Sequence, residues 1–329
     1  MLKQVNSNEL EQLLVQIAAD YRLQVPILLQ DGTRQLAPFG SGELALSGAQ
    51  LQRKPTSWFF PQTQQLFSMG EDGSSRLPEP PGKPLALFGL DQADLAGIAF
   101  LDRFFLSAPA DDIYLRERQD ALLIGLSGAA GPGQSLLAHA GGNCDLELSA
   151  VSAGWLAQGY TATGKKLLEP FSAGDKRQLA TLQKAAADNV AQNNHLLQAS
   201  QLLRAEQVPE VFWAEIAARC ILCSGCNLAC PSCSCFCLQD RQSTTGTERS
   251  RVWDSCQLDA FMREASGHNP LGTEALRTRR RIHHKLAADV ERWGEIGCVG
   301  CGRCDRACPT GIGMFSVAEE IVKRFGQGF

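Results

Sequence analysis

Three features are missing from this sequence, and each absence excludes a class of protein. Positive charge is not in excess, because the sequence has 31 Lys and Arg but 35 Asp and Glu. No protein-wide positive field therefore attracts nucleic acid or anionic lipid. No apolar run reaches the roughly eighteen residues that a membrane-spanning helix needs. The N-terminus, MLKQVNSNELEQLL, lacks the apolar stretch and cleavage site of a secretory signal. We therefore predict a cytoplasmic protein that binds neither nucleic acid nor membrane.

Cysteine is nearly absent before residue 220, where Cys144 stands alone, yet twelve of the thirteen cysteines follow residue 219. A disulfide framework would require a small secreted chain, so in a reducing compartment this density predicts metal. We expect Cys144 to be a small buried apolar residue. The sequence shows no nucleophile with a base and no adjacent cysteine pair. We therefore predict a protein that is not itself catalytic.

The length of 329 residues and the 44% hydrophobic content predict two domains. In the N-terminal part, Leu10, Leu13 and Leu14 share one face of an amphipathic helix that Ser7 would cap. Residues 94–106 also show helical spacing, which predicts a second helix there. Short apolar runs bounded by turn residues predict strands at 25–32, 58–60, 84–90 and 121–128. This part is therefore an α/β or α+β domain.

The C-terminal part is predicted to be all-α. An Ala-, Gln- and Leu-rich stretch from Asp175 to about Glu206 predicts a long connecting helix, and Pro209 begins another helix that ends at Cys220. Residues 273–293 form a helix with a crowded basic first half, and a capping box of Ser316 and Glu319 begins the last one. The predicted ranges are 1–172 for the α/β domain, 173–207 for the connecting helix and 208–329 for the last domain.

The basic run of that helix, RTRRRIHHK at 277–285, has several interpretations. A solvated surface face is the simplest. The same charges could instead offset the negative charge of metal-bound thiolates or dock an acidic partner.

Two copies of the motif C-x2-C-x2-C-x3-C-P are the strongest signal in the chain. They comprise Cys220, Cys223, Cys226 and Cys230, and then Cys298, Cys301, Cys304 and Cys308. This spacing lets one tight loop present three thiolates to a 4Fe-4S cube, and in two-cluster ferredoxins the fourth cysteine ligates the other cluster. We therefore predict two 4Fe-4S clusters in a ferredoxin-like domain. One would use Cys220, Cys223, Cys226 and Cys308, and the other Cys298, Cys301, Cys304 and Cys230.

A pair of structural zinc sites in a non-redox interaction module is the alternative, because four thiolates also suit tetrahedral zinc. Zinc sites normally use two separated C-x2-C pairs, however. That arrangement leaves the evenly stepped third cysteine and the Cys-Pro unexplained.

Four further thiols remain outside the two motifs: Cys233, Cys235, Cys237 and Cys256. They could bind a third iron-sulfur cluster. In that case the C-x-C spacing would present closely spaced thiols, and Cys256 would supply a ligand from a distant segment. They could equally be buried residues that bind no metal, or only some of them could be ligands. Both interpretations stay open at this point.

Five segments carry a resemblance to a known family: RCILCSGCNLACPSCSC, RVWDSCQLDAF, SGHNP, RRRIHHK and GEIGCVGCGRCDRACPTGI. Together they resemble the iron-sulfur beta subunit of cytoplasmic sulfhydrogenases and related NAD(P)-linked nickel-iron hydrogenases. They are equally similar to the 4Fe-4S dicluster subunit of anaerobic sulfite reductase. The match is strong over residues 205 to 315 and weak in the N-terminal domain.

The resemblance implies an electron-transfer subunit with an α-helical ferredoxin fold. Its partners would be a flavin subunit that binds NAD(P) and a catalytic metal subunit, either a hydrogenase or a sulfite reductase. Relatives retain cysteines in the segments that correspond to CPSCSC and WDSC. This retention favours Cys233, Cys235 and Cys256 over Cys237 as additional metal ligands.

Overall fold

The computed structural model describes residues 1–47, 50–79, 82–127, 142–191, 195–244 and 246–326, and over 186–191 it describes the backbone only. The chain forms two compact units. The N-terminal unit comprises Met1–Phe59 and Glu79–Gln192, and the C-terminal unit comprises Phe60–Pro78 and Asn193–Phe329. The predicted ranges 1–172, 173–207 and 208–329 did not anticipate that residues 60–78 belong to the C-terminal unit.

The strands of the described residues are β1 (Leu2–Val5), β2 (Arg22–Leu28), β3 (Arg34–Pro38), β4 (Thr63–Gly70), β5 (Ser75–Arg76), β6 (Leu85–Leu90), β7 (Leu122–Ser127), β8 (Leu146–Val151), β9 (Gly154–Gly159), β10 (Ser172–Ala173), β11 (Phe236–Ser243) and β12 (Gly246–Trp253).

The α-helices are α1 (Ser7–Asp20), α2 (Gln92–Phe105), α3 (Asp112–Arg118), α4 (Ala162–Leu167), α5 (Lys176–Ala191), α6 (His195–Arg204), α7 (Glu210–Ala217), α8 (Gly225–Leu228), α9 (Glu274–His283), α10 (Asp289–Trp293), α11 (Arg303–Ala307) and α12 (Met314–Phe325). Two 3-10 turns lie at Pro55–Trp58 and Asp259–Met262, and a π-helical turn at His284–Ala288 joins α9 to α10. No helix of the described ranges is long and apolar enough to cross a membrane.

An eight-stranded mixed sheet forms the N-terminal unit, with the order β10-β1-β9-β8-β7-β6-β2-β3. Its centre is parallel, because β2 pairs with β6, β6 with β7 and β7 with β8 in the same direction. The runs LALFGL and LLIGLS are buried at every residue, as expected of parallel strands covered on both faces. The prediction of an α/β N-terminal domain agrees with this sheet.

Two local predictions for the N-terminal part are wrong. Asn6 rather than Ser7 caps α1, because its side chain accepts the Glu9 N–H while the Glu9 carboxylate accepts the Asn6 N–H. The predicted strand at 58–60 is absent from the described residues. The chain instead makes a 3-10 turn that begins at Pro55, whose fixed φ suits the start of a helix. The predicted strands at 25–32, 84–90 and 121–128 are observed as β2, β6 and β7, although residue 128 lies outside the described residues.

Helices and a small antiparallel sheet form the C-terminal unit, so the expectation of an all-α domain is wrong. The sheet has the order β11-β12-β4-β5. In the β11–β12 hairpin, Phe236 pairs with Trp253 and Ser243 with Gly246. The hairpin was missed because β11 reads FCLQDRQS, whose last five residues are polar and exposed and show no apolar alternation.

The helices of this unit, and α5 at the end of the N-terminal unit, follow the sequence predictions with shifted ends. Helix α7 begins after Pro209, as predicted. The long helix predicted over 175–206 is observed as α5 and α6, and residues 192–194 between them lie outside the described residues. The capping box at Ser316 is wrong, because α12 begins two residues earlier and the Ser316 hydroxyl donates to Asp305 Oδ1 instead.

Candidate metal centre

The two cysteine motifs fold into loops with the same backbone pattern. In the first motif, Leu222 (φ 55°) and Ser224 (φ 62°) flank Cys223, and a short helix, α8, follows. In the second, Gly300 (φ 66°) and Gly302 (φ 67°) flank Cys301, and helix α11 follows. Left-handed conformations are unfavourable for residues other than glycine and cluster at functional sites. The repeated conformation therefore shows that both loops are shaped to aim their thiols in the same way.

Each loop contributes thiols to a cavity that the other loop completes. The first cavity is lined by Cys220, Cys223, Cys226 and Cys308. The second is lined by Cys230, Cys298, Cys301 and Cys304, and Cys226 also reaches it. The structure thus brings together the two sets of four thiols that the sequence predicts, with the fourth cysteine of each motif exchanged.

The chemistry of these donors fits 4Fe-4S clusters, since four thiolates around one volume are the usual ligands of a cube. Within the described residues, no group of three or more His, Cys, Asp and Glu side chains is gathered closely enough to hold a single metal ion.

Backbone and hydroxyl groups already contact several of these sulfurs. The Ile312 N–H donates to Cys308 Sγ at 3.4 Å, and the Met314 N–H donates to Cys304 Sγ at 3.3 Å. Burial raises the pKa of Cys308, but the bonds from Thr310 and Ile312 lower it by more, so the net direction is downward. Burial raises the pKa of Cys298 to about 12. Iron must therefore displace a proton from Cys298 when it binds.

Two buried cations from one helix lie against the cavities. Arg281, on α9, lines both of them, and its Nη1 donates to the Ile312 carbonyl at 3.1 Å. Lys285, in the π-helical turn, lines the second cavity, and its Nζ donates to Ser232 Oγ at 2.8 Å. Burial lowers the pKa of both groups, but neighbouring thiolates, first Cys226 for Arg281 and Cys230 for Lys285, raise it by more. Both side chains therefore stay positively charged.

The burial of these cations shows that the simplest interpretation of the basic run, a solvated surface face, is wrong for part of it. Arg277, Arg281 and Lys285 are buried, while Arg280 between them is exposed. Their four-residue spacing puts all three on one side of the helix. This spacing is the feature of the sequence from which their shared burial could have been predicted.

Ser224 and Thr278, which line the first cavity, were missed because nothing in their local sequence marks them.

The four remaining cysteines of this region do not form one group. The Cys235 thiol donates a hydrogen bond to the Cys256 sulfur, and Asn227 Nδ2 lies 3.2 Å from the same sulfur. The bond from Cys235 lowers the pKa of Cys256 to about 6, with help from Asn227 and Lys285, although burial opposes it. The Cys233 thiol instead donates a hydrogen bond to the Cys230 sulfur.

Cys237 lies on β11, opposite Val252, with its sulfur 3.8 Å from Gln239 Nε2. The structure thus associates it with the hairpin. In the N-terminal unit, Cys144 is buried, as predicted, and burial raises the pKa of its thiol.

Comparison with known proteins agrees with this geometry. Residues 219–312 match the family model described as a 4Fe-4S dicluster domain, so the C-terminal unit contains an iron-sulfur domain of the ferredoxin-like kind. The chain is also 27% identical over 293 residues to sulfhydrogenase 2 subunit beta of Pyrococcus furiosus, a match that covers 85% of this chain and 86% of the relative. The resemblance to a sulfhydrogenase beta subunit is thereby confirmed. No solved structure matches the chain significantly.

Proposed function

We propose that this chain is the iron-sulfur electron-transfer subunit of a cytoplasmic redox complex and holds two 4Fe-4S clusters. One cluster is assigned to Cys220, Cys223, Cys226 and Cys308, and the other to Cys298, Cys301, Cys304 and Cys230. The observation that carries the proposal is that each cavity is lined by the first three thiols of one motif and by the fourth cysteine of the other. Two-cluster ferredoxins use the same exchange.

The residues present indicate what the cluster and the chain would each contribute. A bound cluster supplies one-electron transfer, which is chemistry of the cofactor. The chain would hold each cluster by thiolates, and it places Arg281 beside both cavities and Lys285 beside the second, where negative charge would accumulate. The chain would therefore transfer electrons without converting a substrate itself.

The proposed partners are a subunit that binds flavin and NAD(P), and a catalytic metal subunit of the nickel-iron hydrogenase or sulfhydrogenase type. The similarity to a sulfhydrogenase beta subunit over most of both chains supports this choice. The alternative is the dicluster subunit of an anaerobic sulfite reductase. Copurification decides between them, because a nickel-containing partner supports the first and a sirohaem-containing partner the second.

A third metal site on Cys233, Cys235 and Cys256 stays a separate proposal. The contact of Cys235 with Cys256 and the position of Lys285 beside these thiols support it. The triple variant Cys233→Ala, Cys235→Ala, Cys256→Ala tests it by iron count. A third cluster predicts less iron than in the wild type, and two clusters alone predict an unchanged count.

Iron analysis of the purified full chain tests the main proposal. After anaerobic reconstitution we expect about eight iron and eight acid-labile sulfide per chain if two clusters bind. The dithionite-reduced protein should show EPR signals of reduced 4Fe-4S clusters. Clearly fewer than eight irons would contradict the two-cluster assignment. A colourless protein with stoichiometric zinc would support the interaction-module alternative instead.

A further inference from the structure

Three buried polar atoms around the first cavity have no hydrogen-bond partner within the described part of the chain. They are Ser224 Oγ, Thr278 Oγ1 and Arg281 Nη2. All three residues line the cavity of Cys220, Cys223, Cys226 and Cys308. Their exposed fractions are 5%, 2% and 5%. Because buried polar groups are rarely left unsatisfied, three of them at one cavity require an explanation.

The three groups reach the cavity from two sides. Ser224 lies between Cys223 and Gly225 in its left-handed conformation. Thr278 and Arg281 are three residues apart on α9, and that spacing places them on one face of the helix. A guanidinium N–H is a donor only, and a hydroxyl can donate or accept. The first cavity is therefore lined by hydrogen-bond donors from two different segments, the first cysteine loop and α9.

We propose that Ser224, Thr278 and Arg281 donate hydrogen bonds to the sulfurs of the cluster in the first cavity and thereby raise its reduction potential. The inference rests on the proposed function, because it requires that cluster. Reduction adds one electron and makes or breaks no covalent bond, so the reduced cluster carries one more negative charge. Donors stabilise this more negative state more strongly and favour its formation.

The second cavity has a different set of donors, and this difference makes the proposal selective. Among the unpartnered buried atoms of the described residues, only Nη2 of Arg281 belongs to a residue that lines it. The Lys285 ammonium, which also lines it, already donates to Ser232. Loss of the Ser224 or Thr278 hydroxyl should therefore affect one cluster, whereas loss of the Arg281 charge should affect both.

The matched pair Thr278→Val and Thr278→Ser tests the proposal. Valine keeps the shape of threonine without the hydroxyl, and serine keeps the hydroxyl. The anaerobically reconstituted full chain is titrated with reductant, and each cluster is followed by EPR. A Cys223→Ser variant identifies the signal of the first cavity by changing a ligand there. We expect Thr278→Val to lower the midpoint potential of that signal only, while Thr278→Ser stays close to the wild type.

Iron content is the second readout. Loss of about half of the iron in Thr278→Val, restored in Thr278→Ser, would also support a bond between this hydroxyl and the cluster. Full iron with both potentials unchanged in Thr278→Val would overturn the inference and leave the proposed function intact. Wild-type protein that binds no iron would overturn the proposed function itself.

Arg281→Gln provides an independent check on the shared cation. We expect it to shift both potentials downward, because the guanidinium lines both cavities. A shift confined to the second cluster would contradict the role assigned to Nη2. If this variant fails to fold, the Thr278 pair decides the matter alone, since those substitutions preserve side-chain volume far better.

Discussion

Arg281 and Cys226 each line both thiol cavities, so one buried guanidinium lies beside ligand thiols of both proposed clusters. The Ile312 carbonyl accepts a hydrogen bond from Arg281 and fixes its position. Two reduced clusters repel each other, and a cation between them offsets part of that repulsion where water cannot screen it. The helix that carries Arg281 continues into a π-helical turn with Lys285, and π-helical turns are common at functional sites.

The proposed exchange of ligands between the two motifs predicts that two cysteine variants damage different clusters. Cys230→Ala should damage the cluster built on Cys298, Cys301 and Cys304, although Cys230 belongs to the other motif. Cys308→Ala should damage the cluster built on Cys220, Cys223 and Cys226. In each variant about four irons should remain. Iron analysis and EPR of the reduced proteins measure both outcomes.

The control for this pair is Cys144→Ala, because Cys144 lies in the N-terminal unit. It should leave the iron count unchanged. If Cys230→Ala removed the same EPR signal as Cys220→Ala, the two motifs would bind their clusters without exchange.

The left-handed residues of the two loops predict a difference between a glycine and a leucine that share this backbone conformation. Gly302→Ala places a Cβ at φ 67° and should lower the free energy of unfolding by about 1–2 kcal/mol. The new Cβ would lie 3.1 Å from the Arg306 guanidinium, which can move aside, so the backbone is the main cost. Denaturant unfolding of the holoprotein measures the change.

Leu222, with φ 55°, is the left-handed residue on the other side of the central cysteine in the first loop, at the position that Gly300 occupies in the second. It already bears the cost of a left-handed side chain, so Leu222→Gly should destabilise less than Gly302→Ala or even stabilise the protein. Equal destabilisation by the two variants would show that packing of the side chains, not backbone conformation, determines the cost at these loops.

The sequence predicts the positions of the thiols better than it predicts the residues that surround them. That the eight motif thiols gather around two cavities could be predicted, because the spacing of each motif is typical of a 4Fe-4S site and two-cluster ferredoxins exchange the fourth cysteine. The hairpin of β11 and β12 could not, because its partner strand β4 lies about 180 residues earlier and its own residues are polar. Ser224 and Thr278 were equally hidden, since only their position at the first cavity gives them a role.

The same hairpin predicts a contrast between two arginines of one strand. Arg251 is 1% exposed, lies over the rings of Phe60 and Phe236 and donates to Gln64. Arg251→Ala should cost roughly 2–4 kcal/mol through a desolvated cation–π contact and lost packing. The free energy of unfolding, taken from the transition of the C-terminal unit, is the measurement.

Arg249, two residues earlier, is the matched control. It is exposed and pairs with Asp240 across the hairpin at 2.6 Å. A surface ion pair contributes little, so Arg249→Ala should cost less than about 1 kcal/mol. Similar costs for the two variants would contradict the role assigned to the buried Arg251.

Removal of iron should loosen the C-terminal unit before the N-terminal one. Without iron the ligand thiols take up protons, because burial raises the pKa of Cys298 and Cys226. The negative charge around the buried Arg281 and Lys285 then falls, and a buried cation that loses its counter-charge is strongly destabilising.

Hydrogen exchange after anaerobic chelation measures this loosening. We expect faster exchange over 219–312, while the buried strands β6 and β7 stay protected by their own sheet. The apolar contacts of α6 with α12 should slow, but not prevent, the change in the C-terminal unit. Exchange that is unaltered by iron removal in both units would show that the fold does not depend on its clusters.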